Sequence, residues 1–134
     1  MKRTFKIAMS ERCYRFKPEA LDNHAPKSPG VYEFVTFDAQ LKPEVLYVGV
    51  STPQTLYEAL AAHLMGSRRP TGDDLFRAAK DVYFDFVASS DAASPEDLQD
   101  IAASLAARAK PRLNGASGPG YTGRYEAVEV SEAG

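Results

Sequence analysis

"GVYEFVTFDAQLKPEVLYVGV", residues 30–50, decides the fold. "GVYEFVTF" is rich in β-branched and aromatic side chains, a composition that suits a pleated, half-buried surface, and reads as a strand. "DAQLKPE" is polar and reads as a turn or hairpin loop. "VLYVGV" reads as a second strand. Two strands joined by so short a connection predict an antiparallel hairpin.

Downstream, Thr52 followed by Pro53 predicts a helix start, a side-chain cap and then proline at the first helical position. Leu56, Tyr57, Leu60 and Leu64 follow at helical spacing. "MGSRRPTG" breaks that helix, and "GDDLFRAAK" reads as a short helix with acids in its first turn. "DVYFDFVA" is a third strand, with Val82, Phe84 and Phe86 on one face. "SPEDLQDIAASLAARAK" is the clearest helix: Ser94 caps it, Pro95 takes its first position, and Pro111 ends it. "NGASGPGYTG" is a glycine-rich loop and "RYEAVEV" a last strand.

Upstream, "TFKIAM" alternates, with Phe5, Ile7 and Met9 on one side, and reads as a strand. "KPEALDNHAPKSPG" holds three prolines and reads mostly as loop, with room for one short helical turn. The expected fold is therefore α+β: a small three- to five-stranded, mostly antiparallel sheet flanked by helices, in one domain spanning residues 1–134.

The 134 residues are 44% hydrophobic and 25% charged, which suits a globular domain with one core. No apolar run is long enough for a membrane-spanning helix, and the basic N-terminus lacks the uninterrupted apolar core of a secretory signal. Cys13 is the only cysteine, so no internal disulfide forms, and a cytoplasmic setting is the default expectation. The net charge of −2 conceals an asymmetry. Residues 1–27 hold seven Lys/Arg against three acids, a balance of +4, whereas the remainder holds nine against fifteen, a balance of −6. A general polyanion-binding surface is not expected, and any phosphate contacts are expected mainly from the N-terminal segment. The −6 balance also makes a protein partner plausible.

The glycine-rich loop follows a helix and lacks the Gly-Lys-Ser/Thr of a phosphate-binding loop, so it reads as a connector. His24 and His63 are far apart in sequence, and no Cys/His cluster suggests zinc. What remains is "PGVY" at 29–32, "LYVG" at 46–49 and "KPRLN" at 110–114. Together, over residues 28–114, these resemble the GIY-YIG endonuclease superfamily, above all the N-terminal nuclease domain of the excision-repair incision subunit. The resemblance makes 28–114 a GIY-YIG-like core, 1–27 a basic N-terminal extension, and 115–134 a glycine-rich loop with a final strand.

The resemblance implies a site. Gly30 and Tyr32 stand for the first half-motif, and Tyr47 and Gly49 for the second. His63 falls where the family often has tyrosine or histidine, Arg112 lies within "KPRLN", and Asn114 matches the family asparagine. In the family the tyrosines orient or deprotonate water, an arginine stabilises charge on the phosphate, and a glutamate holds one divalent metal. Here the arginine position falls on Ala59, the glutamate position on Ala102, and a frequent basic position on Val50. No Lys or Arg lies between Val50 and Ser67, and no Asp or Glu between Ile101 and Ala109. Losing one charge-stabilising donor costs on the order of 10²–10³ in rate, and losing the metal costs more. The expectation is a degenerate domain without a cofactor or a metal site, Tyr32, Tyr47 and His63 being its vestigial cleft, that binds nucleic acid or a protein. One alternative is an active nuclease using Mg2+ or Mn2+, with Arg68, Arg69 or Arg77 reaching in and a partner or a second subunit supplying the metal site. The other is a structural or oligomerising module with a plugged cleft.

Overall fold

The computed structural model describes residues 1–115 and 118–133. The chain runs β1 (Lys2–Met9), β2 (Tyr14–Arg15), α1 (Pro18–His24), β3 (Val31–Phe37), β4 (Pro43–Val50), α2 (Leu56–Met65), α3 (Gly72–Ala78), β5 (Tyr83–Ser90), α4 (Pro95–Ala109) and β6 (Ala127–Glu132). The fold is α+β. The sheet order is β4-β3-β5-β1-β6, with β2 also on β5. All pairs are antiparallel except β1 with β6. The sheet has six strands, one beyond the expected range. The extra one is β2, too short to leave a periodic signal, which meets β5 through Tyr14↔Phe84 and Arg15↔Tyr83.

The hairpin forms as expected, with Tyr32 opposite Gly49 and Phe34 opposite Tyr47. A bulge after Phe34 puts the consecutive residues Leu46 and Tyr47 against the same core cluster. Because neighbouring strand residues point to opposite faces, the sheet builds two cores. On one face Tyr32, Phe34, Phe84 and Phe86 pack with Leu21 of α1, Leu56, Ala59 and Leu60 of α2, and Leu75 of α3. On the other, Val31, Val48, Phe5 and Ile7 pack with Ile101, Ala102 and Leu105 of α4. Burying a side chain such as Leu60 contributes about 1.5–3 kcal/mol.

Two helix expectations are corrected. α2 starts at Leu56, and Thr52 and Pro53 remain in a turn. Thr55 and Glu58 form a reciprocal capping box, satisfying two end N–H groups where the Thr52 cap would satisfy one. The segment read mostly as loop holds α1, two turns long, because Ala20 and Leu21 bury against the first core. α4 begins as expected, with Ser94 accepting from the Asp97 N–H and Pro95 in the first turn. Residues 1–27 are not an appendage: β1 lies between β5 and β6. Within the glycine-rich loop, Ala116 and Ser117 lie outside the described residues. Among the described residues, no helix is long and apolar enough to cross a membrane.

Candidate functional site

Tyr32 and Tyr47 project from adjacent strands to one face, their ring centroids 6.3 Å apart. Gly49 makes this possible: a Cβ there would overlap the Tyr32 ring carbon and hydroxyl and the edge of Tyr47. Gly30 has a different neighbour, since its Cβ would press on Leu56 Cδ1 at 2.9 Å. Both motif glycines are thus explained by packing.

His63 lies one turn beyond Ala59 on α2, and both are fully buried. Its Nδ1 is 2.7 Å from the Pro70 carbonyl, which can only accept, so Nδ1 carries the proton. Nε2 is therefore a lone pair, and it accepts from the Tyr32 hydroxyl at 2.6 Å. Burial drives the imidazole down to about 4, so it is neutral at pH 7. Burial likewise raises Tyr32 above the usual phenol range, which keeps its proton in place. The chain Tyr32–His63–Pro70 is buried, and Tyr32 is 0% exposed.

Tyr47 is half-buried and faces a cavity of about 480 Å³ lined by Arg69, Pro70, Asp74, Arg77, Leu113 and Asn114. Arg77 pairs with Asp74 at 2.7 Å. Among the described residues, no carboxylate lies within ion-pair distance of Arg69. Arg68 sits above Tyr32, 5.8 Å from its ring centroid, and donates to the Val50 carbonyl at 3.2 Å. Asn114 uses both ends of its amide on one residue, accepting from the Val48 N–H at 2.9 Å and donating to the Val48 carbonyl at 2.8 Å. It caps the outer edge of β4 as a strand would. Arg112 is drawn away from the cavity and chelates Glu44 at 2.6 and 3.3 Å.

The structure thus gathers Gly30, Tyr32, Tyr47, Gly49, His63, Arg68, Arg69 and Asn114 around the hairpin, and leaves Arg112 outside. Ala102 does not join them. It lies in the core under α4, on the sheet face opposite the tyrosines. Asp100 is committed elsewhere, accepting from the Thr122 N–H, the Thr122 hydroxyl and Arg124 at 2.8, 2.9 and 3.1 Å. The residues present do not fit the divalent metal that the resemblance implies. Among the described residues, no group of three or more His, Cys, Asp or Glu could hold one.

Two features escaped sequence reasoning. Pro70 and Asp74 complete the cavity wall; Thr71 followed three residues later by Asp74 is a capping box that marks where they converge. On the opposite sheet face, Glu33 and Asp85 are direct cross-strand neighbours. Asp85 Oδ1 is buried without a hydrogen-bond partner, and the Cys13 thiol lies 3.8 Å from Oδ2. Burial, with Asp85 adding repulsion, pushes Glu33 well above the usual carboxylate range. The signal was present in "VYEFV" and "YFDFV": a single acid inside an otherwise apolar strand. The chain was compared with family models, curated proteins and solved structures, and it matches none of them.

Proposed function

We propose that the chain is a GIY-YIG-like domain that binds nucleic acid at the Tyr47 cavity and does not cut it. The observation that carries the reading is the cavity itself: a half-exposed tyrosine beside Arg69, a cation free of any acid partner among the described residues. An aromatic face and a guanidinium are the pair that takes a base and its phosphate. Hydrolysis by the family route lacks its parts. Tyr32 keeps its proton and holds it toward His63, Ala59 brings no charge, and Ala102 faces the other side of the sheet.

The test joins two measurements. Fluorescence anisotropy with labelled single-stranded and duplex oligonucleotides is expected to show salt-sensitive binding, weakened about tenfold or more in Arg69→Ala/Arg77→Ala. Supercoiled plasmid with magnesium or manganese is expected to stay intact. Metal-dependent nicking that Tyr47→Phe abolishes would establish an active nuclease. Absence of binding to every oligonucleotide would move the site to a protein partner.

A further inference from the structure

A second cavity, of about 540 Å³, opens at the segment joining β1 to α1. Arg12, Arg15, Lys17 and His24 line it, and Glu11 is the one acid in the lining. At its wall the rings of Tyr14 and His24 are stacked, with centroids 4.0 Å apart and planes at 12°. Phe86 lies near-parallel to Tyr14 on the core side, at 6.4 Å and 16°. The three rings make a column that starts in the core and ends on His24, which is exposed. A column ending in an exposed ring can be extended by one further planar ring.

The cations around it are unequally committed. Arg15 pairs with Asp81 at 3.4 Å. Lys17 reaches Glu19 only at 3.7 Å, on a solvent-exposed surface where such a pair holds weakly. Arg12 has no ion pair among the described residues. The Cys13 thiol, pushed up to about 12 by burial and the nearby Asp85, adds no negative charge.

We infer that this cavity binds one nucleotide unit, its base extending the Phe86–Tyr14–His24 column and its phosphate held by Arg12 and Lys17. The unit is either a free mononucleotide or a residue of a single strand. The inference does not rest on the Tyr47 cavity. Calorimetry with AMP and anisotropy with a short labelled oligothymidylate separate the two sources. Binding of AMP points to the free nucleotide, and binding of the oligonucleotide alone to the strand. In either case Arg12→Ala/Lys17→Ala and His24→Ala should each weaken binding about tenfold, and His24→Phe, which keeps the ring, should retain it. The inference is overturned if neither probe binds, or if binding persists unchanged in these variants. Loss of oligonucleotide binding in Arg69→Ala, with no effect of the Arg12→Ala/Lys17→Ala and His24→Ala variants, also overturns it and leaves the Tyr47 cavity as the nucleic-acid site.

Discussion

Glu33 shows what a single residue does to the balance of this molecule. In the fold burial and the neighbouring Asp85 hold its carboxyl well above the ordinary value of 4.5. The folded protein therefore keeps a proton that the unfolded chain releases. Its stabilising effect is whole below about 4.5 and drains away as pH rises through the raised value. Arg108 and Glu132 also face the pair, with opposite effects. Glu33→Gln should melt above wild type at pH 8 and show a shallower fall from pH 5 to pH 8, followed by circular dichroism. A wild-type melting temperature that is flat across that range would refute the account. Ala59 is the complementary case. Its side chain is fully buried in the first core, so Ala59→Arg places a charge among apolar neighbours. The expected result is a loss of about 3 kcal/mol or more in urea unfolding, with no gain of nuclease activity. An unchanged urea midpoint would mean that the arginine finds water.

At the scale of elements, Asp100 ties α4 to the segment that leads into β6. Removing its carboxylate in Asp100→Ala leaves the Thr122 N–H and hydroxyl without their acceptor and frees Arg124 to hold Asp97 alone. Amides in residues 119–133 should exchange faster by hydrogen–deuterium mass spectrometry, while β3 and β4 stay protected. Equal protection of the 119–133 segment in the variant would show that strand pairing alone holds it. The hairpin, α4 and β5 were legible in the sequence because their apolar spacing reports directly on which face is buried. β2 and α1 were not, since each is short and exists through what it packs on. The start of α2 was misread because Thr52–Pro53 and Thr55–Glu58 both carry cap chemistry, and only the second closes a reciprocal pair. In the candidate site, the approach of His63 to the tyrosines followed from its four-residue step past Ala59. Counting back from Pro111 gave a position on α4 and could not tell which face of the sheet α4 covers.

Across the whole molecule, the first and last strands are neighbours: Lys2 sits beside Ala127 and Ile7 beside Glu132. Contacts so distant along the chain form late and slow folding. This gives the sheet a history during synthesis. While residues 127–132 are still inside the ribosome, β1 can already lie on β5 through Ile7, Ala8 and Met9, yet its other edge has nothing to pair with. A nascent chain would then offer an open backbone edge on which a second nascent chain from the same message could pair. That edge carries Lys2, Arg3 and Lys6, so two copies approaching edge to edge would repel before they could pair. The charges that later meet Glu129 and Asp91 would thus act first as a guard on the growing polypeptide.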